Sequence, residues 1–392
     1  MNCLFWFIWM SCSFICANSQ NLLLRFDFLS LETIHLTDNP NDIPSRLEGG
    51  RKMYNNAHFC LFLAIFSLCS TLALTSCEFD SARTSGKTLE PVTLQLKWVH
   101  QAQFAGFYLA RKLGYYESEG LKVTFLEGGT NIDQVEQLKS NKADFALVPA
   151  ESLFLKNSDF QMQAIAVIYQ QSPLIFVSKK DSGITKPEHF LDKTVAVGSL
   201  DGGFLEGIIQ FNALAKARNI DTSSITTVPY DWSFKGLIEG SVDISPTYLT
   251  SGFIKLKHMG VDTEVIWPGD YGLNYYADTL VTQCSMITEH PDTVLRFLRA
   301  SLKGWQEAVS NHEEALAATI EQVKEVNKAK EADMLDSQQP LIDTGVNPIG
   351  WMEKKRWRIM HDLLIEQGVL EKQMDIDRIY TTEFLVNIYA GQ

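Results

Sequence analysis

From about residue 90 onward, short apolar runs alternate with stretches of helical spacing. Val92-Thr-Leu-Gln-Leu-Lys-Trp98 alternates as a half-buried strand does, and Leu121 to Glu127 repeats the pattern. Between them, Phe104-Ala-Gly-Phe-Tyr-Leu-Ala110 reads as a helix ending near Gly114. Asn131 to Ser140 is expected to be helical with Asn131 as N-cap. Phe145 to Val148, Ala164 to Tyr169 and Leu174 to Ser178 read as buried strands. A strand from Thr194 to Gly198, a glycine-rich turn and a helix from Phe204 to Arg218 follow. Ile225 to Val228, Val242 to Ile244, Glu264 to Trp267 and Thr279 to Thr282 supply further short strands, and from about Pro291 the period is mostly helical. Such alternation predicts an α/β fold, with open sheets and crossover helices. Neither a solenoid repeat nor a low-complexity tract interrupts it.

The first part of the chain follows different rules. Residues 59 to 74 form an uncharged apolar run of signal-peptide length, short for a membrane span. Leu74-Thr-Ser-Cys77 follows directly and resembles a bacterial lipobox, which implies cleavage before Cys77 and lipid on that residue; an ordinary signal peptide with an incidental Cys is the alternative. Ser81 to Thr88 is small and polar, as a tether is. Glu48-Gly-Gly-Arg-Lys-Met53 is compatible with a purine-rich ribosome-binding site ahead of a start codon. The expected organisation is therefore a gene-model extension or unstructured stretch over 1–52, a lipoprotein signal peptide over 53–76 and a tether over 77–90. The product is expected to be exported and membrane-anchored through Cys77.

Charge narrows the partners. The chain has 34 Lys+Arg and 47 Asp+Glu; four and five of these precede Cys77, leaving 30 and 42 and a net of −12. That balance argues against nucleic acid and against anionic lipid bound through bulk charge. Of seven cysteines only Cys77 and Cys284 fall in the exported part, so a lipidated Cys77 leaves no pair for an intramolecular disulfide. With neither Cys-x-x-Cys nor His-x-x-x-His, no metal site is assigned, and no cofactor either.

Several motifs cluster where strands hand over to helices, the place where open α/β sheets bind ligands. Trp98-x-x-Gln-x-Gln-Phe-Ala-Gly-Phe-Tyr108, Gly114-Tyr-Tyr-x-x-x-Gly-Leu-x-Val123, Lys142-Ala-Asp-Phe-Ala146, Gln171-Ser-Pro-Leu174, Tyr275-Tyr-Ala-Asp-Thr-Leu280 and Gly304-Trp305 together resemble the thiamine-pyrimidine branch of type II periplasmic solute-binding proteins. The resemblance covers roughly residues 90 to 390. It implies two α/β lobes joined by a two-strand hinge. The first lobe would take 91–178 and 279–392 and the second 179–278, with hinges near Val177 to Lys180 and Asp278 to Thr282. It further implies a small-molecule ligand, pyrimidine-like, and an ABC permease as partner. One departure bears on the ligand. Where pyrimidine-binding relatives run Tyr-x-Asn-Glu after the Val-Asp pair, this chain has Tyr248-Leu-Thr-Ser-Gly252, so the tyrosine matches and the acid does not.

Candidate ligand-binding residues follow from these placements. Trp98 offers a flat face for a heteroaromatic ring, although a sheet-capping core role competes. His100, Gln101 and Gln103 offer donors and acceptors. Glu127 and Gly128 follow the second strand, Glu151 the third, and Tyr169 lies beside the hinge. In the second lobe, Gly198-Ser-Leu-Asp-Gly-Gly203 places Ser199, Asp201 and Gly202 at a helix start; it is neither a dinucleotide loop nor a Walker loop, and a plain tight turn is the alternative. Trp232, Tyr248, Asp270 and Tyr275 complete the set.

Three functions compete. A solute receptor feeding an ABC importer makes and breaks no bond, so it needs no catalytic residue. A ligand-sensing module would report to a membrane signalling partner instead. A pyrimidine synthase, which the same family includes, consumes its own His and pyridoxal phosphate with iron and a Cys-rich loop, and that Cys cluster is missing here.

Overall fold

The protein is described by a computed structural model covering residues 88–156, 161–198 and 204–390. The leader, Cys77 and most of the tether lie outside the described residues, as do Ser199, Asp201 and Gly202.

Two five-stranded mixed sheets organise the chain. It begins with β1 (Glu90–Gln95), α1 (Ala105–Lys112), α2 (Tyr115–Ser118), β2 (Leu121–Leu126), α3 (Gln134–Lys139), β3 (Phe145–Val148), α4 (Ser152–Leu155) and β4 (Met162–Tyr169). Next come β5 (Leu174–Lys179), β6 (Thr194–Val197), α5 (Leu205–Ala217), β7 (Thr226–Pro229), α6 (Lys235–Glu239), β8 (Ile244–Tyr248), α7 (Gly252–His258) and β9 (Thr263–Ile266). The chain ends with β10 (Ala277–Gln283), α8 (Cys284–Glu289), α9 (Pro291–Ser310), α10 (His312–Ile320), α11 (Lys328–Ile342), α12 (Lys354–Glu366) and α13 (Glu383–Tyr389).

The first sheet has the order β2-β1-β3-β10-β4, with β10 running antiparallel between β3 and β4. The second has the order β7-β6-β8-β5-β9, with β5 antiparallel to both neighbours. Burial follows position. Edge strand β2 alternates buried and exposed residues, whereas β3 is buried throughout because helices cover both faces. An aspartate ahead of one strand pins its neighbour in each sheet. Asp144 Oδ2 accepts from Thr93 N at 2.7 Å, and Asp243 Oδ2 accepts from Thr194 N at 2.8 Å.

Three expectations need correction. The chain crosses between sheets at 170–173 and 267–276, not at Val177 to Lys180 and Asp278 to Thr282; β5 already pairs entirely within the second sheet, and Asp278 already lies on β10. The third helix starts after Asp133, whose Oδ1 accepts from Val135 N at 2.9 Å, so Asn131 is not the cap. Its N-terminal approach turns at Thr130 and Asn131, with Ile132 N–H donating to Gly129 O at 3.2 Å, and residues 129–133 form a wall of the cavity described below. The strand expected at Val242 to Ile244 instead runs from Ile244 to Tyr248, through Pro246. The parallel β6–β8 register is confined to Val195–Ile244, so the missing N–H of Pro246 interrupts no ladder on that side.

Candidate functional site

Between the loop ends of the two sheets lies a cavity of about 450 Å³. Its upper walls are aromatic and come from both sheets. Trp98, just after β1, stacks on Trp232, ahead of α6, with ring centroids 4.2 Å apart and planes at 31°. No third ring fits between them at that separation. Phe204 and Tyr230 pack on Trp232 at 5.2 and 4.7 Å, and Phe204 meets Tyr248 at 5.9 Å. Phe204 and Phe234, both lining the cavity, hold φ of +35° and +61°. Bulky residues take the left-handed region only when their surroundings over-determine it, and such strain concentrates at functional sites.

The floor is polar and bridges the two sheets. Lys97 Nζ contacts Glu206 Oε1 and the Tyr248 hydroxyl, and donates to Asp278 Oδ1 at 3.2 Å. Tyr248 donates its hydroxyl hydrogen to Glu206 Oε1 at 2.6 Å. Gln103 Nε2 donates to Asp278 Oδ2 at 2.6 Å, and Gln101 Nε2 to Gln103 Oε1 at 2.6 Å. Asp278 sits at φ +45°, a region that aspartate tolerates better than most residues. Burial works against the charge of Lys97, but Glu206 and Asp278 outweigh it and hold the ammonium above its usual range. Burial raises Asp278 despite Lys97 and Gln103. The Tyr248 phenol is pushed well above its usual range by burial, then by the charge of Glu206.

Glu151 lies behind this floor, fully buried. Gln210 Nε2 donates to its Oε1 at 3.4 Å and to Ser172 Oγ at 3.3 Å. Glu151 Oε2 and Gln210 Oε1 have no hydrogen-bond partner among the described residues. Burial, with the charge of Glu206 adding, pushes Glu151 up to about 8. Because the folded value lies above the ordinary 4.5, folding takes up a proton; stability is greatest below 4.5 and is lost as pH rises towards about 8. Glu151→Gln keeps the shape without the titration. Its unfolding temperature is expected to gain on that of the wild type across this window, and parallel curves in thermal unfolding at several pH values would remove the argument.

Of the residues singled out from sequence, Trp98, Gln101, Gln103, Trp232 and Tyr248 line the cavity together. The others among the described residues do not line it. His100 turns away, its Nδ1 2.9 Å from the Tyr108 hydroxyl, and burial lowers its pKa. Glu127 pairs with Lys324 at 2.6 Å. At Gly128 an added Cβ would stand 2.4 Å from Leu96 O, so this glycine serves backbone packing, and its N–H holds Trp98 O at 3.0 Å. Glu151 is beneath the floor. Tyr169 is buried and donates to Gln338 Oε1 at 2.7 Å. Asp270 lies on a short 3₁₀ turn on the return crossing, away from the cavity. Tyr275 is buried in the core.

Sequence reading missed Lys97, Glu206 and Asp278, and also Phe204, Tyr230 and Phe234. Lys97 read as a strand residue, Glu206 as a helix residue and Asp278 as hinge. The acid absent after Tyr248 does reach that tyrosine, but from the first turn of α5, where the positive helix end favours a carboxylate.

Residues 101–315 match the family described as NMT1/THI5 like. The chain belongs to that family. Among its relatives is the riboflavin-binding protein RibY of Chloroflexus aurantiacus, 22% identical over 76% of this chain and 87% of that protein. Another is the formylaminopyrimidine-binding protein of Halalkalibacterium halodurans, 26% identical over 79% of this chain and 97% of the relative. In three dimensions this NMT1/THI5-like chain matches the periplasmic nitrate-binding protein NrtA from Synechocystis PCC 6803 with a TM-score of 0.63 at 12% identity, over 77% and 89% of the two chains. The fold is thus that of type II periplasmic binding proteins.

Proposed function

We propose that this protein is an exported solute-binding protein that delivers a small heteroaromatic to an ABC permease, with a thiamine-precursor pyrimidine as its ligand. The observation that carries the reading is the aromatic box built from loops of both sheets over a polar floor, around a cavity of about 450 Å³. Planar rings gain from such walls through area and stacking, while the floor fixes orientation. Family membership and a relative named for a formylaminopyrimidine support the ring type. Lys97 favours binding over chemistry, because an ammonium held by two carboxylates is a poor nucleophile.

In this reading the two sheets with their helices are lobes that close on the ligand about the crossings at 170–173 and 267–276. Cys77 carries the lipid and the following residues tether the domain near the permease. A membrane signalling partner in place of the permease would use the same cleft.

A flavin is the second reading. The cavity is roomy for one pyrimidine of about a dozen heavy atoms, since pockets of roughly 300–1,000 Å³ usually hold drug-sized ligands. A relative named for riboflavin points the same way. A thermal-shift panel of thiamine pyrimidines, thiamine, riboflavin, nitrate and alkanesulfonates separates these readings. A ligand at 100 times its dissociation constant stabilises by about 2.7 kcal/mol. Stabilisation by the formylaminopyrimidine or its hydroxymethyl relative is expected. Stabilisation by riboflavin alone would transfer the assignment to the flavin, and by an alkanesulfonate alone would remove both.

A further inference from the structure

Counting donors and acceptors on the cavity floor leads to the chemical class of the ligand. This step rests on the solute-binding reading and deepens it. Lys97 carries three N–H donors, and Glu206, Tyr248 and Asp278 receive them. The Tyr248 hydroxyl hydrogen goes to Glu206, and Gln103 Nε2 goes to Asp278. Every donor of Lys97 and Tyr248 is therefore used within the floor. The acceptors are not all used. Glu206 lines the cavity at 2% exposure, both of its described hydrogen bonds end on Oε1, and none described uses Oε2. The charges point the same way, since one ammonium faces two carboxylates, Glu206 and Asp278.

We propose that Glu206 is the residue that reads the ligand, and that the ligand is a planar heterocycle that donates an N–H from an amino group or a protonated ring nitrogen to Glu206 Oε2. Such a ring satisfies the open carboxylate oxygen of Glu206 while its faces meet the aromatic walls. At this floor an oxyanion such as nitrate or a sulfonate finds no free donor on Lys97 or Tyr248 and meets two carboxylates to one ammonium, while the other lysines of the lining are engaged elsewhere, Lys156 with Asp133, Lys330 with Glu331 and Lys255 with Trp232 O. The acid that ordinarily follows the tyrosine in pyrimidine-binding relatives is thereby replaced in space by one from another element.

The test uses the purified protein and three kinds of probe. These are 4-amino-5-hydroxymethyl-2-methylpyrimidine, its isostere with methyl in place of the amino group, and nitrate or methanesulfonate. Calorimetry on the wild type should show the amino compound binding about 30-fold more tightly than the methyl isostere, as a hydrogen bond to a charged group provides, and no binding of the anions. Glu206→Gln should lower affinity for the amino compound by about that factor while affecting the methyl isostere little, so that discrimination collapses. Equal losses for both compounds, or discrimination that survives in Glu206→Gln, would overturn the assignment. Circular dichroism at equal protein concentration checks that the variant is folded, and Glu206→Asp, which keeps the charge, should restore part of the discrimination. Wild-type binding of riboflavin without either pyrimidine, lost in Glu206→Gln, would sink the pyrimidine reading and keep the N–H donor class. Binding of an anion alone, or of no probe including riboflavin, would sink both.

Discussion

Replacing Trp98 with alanine is expected to weaken ligand binding about 100-fold and to leave the fold standing. Trp98 is only partly buried and follows β1, so its ring is not needed to join the two sheets. Its backbone is held independently, with Gly128 N–H donating to Trp98 O at 3.0 Å and Gln134 Nε2 donating to the preceding carbonyl at 3.0 Å. What the substitution removes is the wall that faces the ligand and stacks on Trp232. Loss of roughly 100 Å² of aromatic contact at about 25 cal/mol per Å² amounts to about 2.5 kcal/mol, or nearly two decades in affinity. Calorimetry with the stabilising ligand measures the loss, and the unfolding temperature without ligand measures the fold. Unchanged affinity would remove the wall from the binding account. Loss of folding would make Trp98 a core residue instead.

Replacing Gly304 with valine is expected to destabilise the protein by about 3 kcal/mol, as overpacking of a tight contact does. Helices α1 and α9 approach so closely that a Cβ on Gly304 would lie 2.3 Å from the Gly106 carbonyl oxygen and 2.5 Å from Ala110 Cβ. Gly106 has the reciprocal constraint, because its Cβ would enter the Trp305 ring at 2.1 Å from Cδ2. A Cβ on Gly304 meets backbone of the facing helix, so relief there requires one helix to move. A shift of that size corresponds to a fall of roughly 5 °C in unfolding temperature for about 300 residues. A fall of under 2 °C in thermal unfolding would mean that the helices separate easily. Since α1 continues directly from the turn bearing Gln101 and Gln103, weaker ligand binding should accompany the loss.

The contrast between these two sites separates what was legible from what was not. Trp98 stood out because its chemistry is local: a ring at the end of an alternating strand belongs at the mouth of a sheet. Gln101, Gln103, Trp232 and Tyr248 were legible in the same way, as polar or aromatic groups at strand-to-helix handovers. His100 and Glu127 carried the same signal and were turned outward. A neighbour of a strand end has two sides to face, and sequence spacing does not choose between Tyr108 or Lys324 and the cavity.

The chain's own pattern determined the α/β alternation and most strand positions, because a period of two or a continuous apolar run depends only on which residues must leave water. Its motifs determined the family. Tertiary structure alone decided three things. It placed β10, distant in sequence, between β3 and β4, and so carried Asp278 to the cleft. It moved the sheet crossings away from the places that local pattern suggested. Above all it joined Lys97 to Glu206, 109 positions apart, and so determined which donors are consumed and which acceptor stays open. Those pairings depend on where two sheets converge, and that is a property of long-range register and closure with no local trace in the sequence.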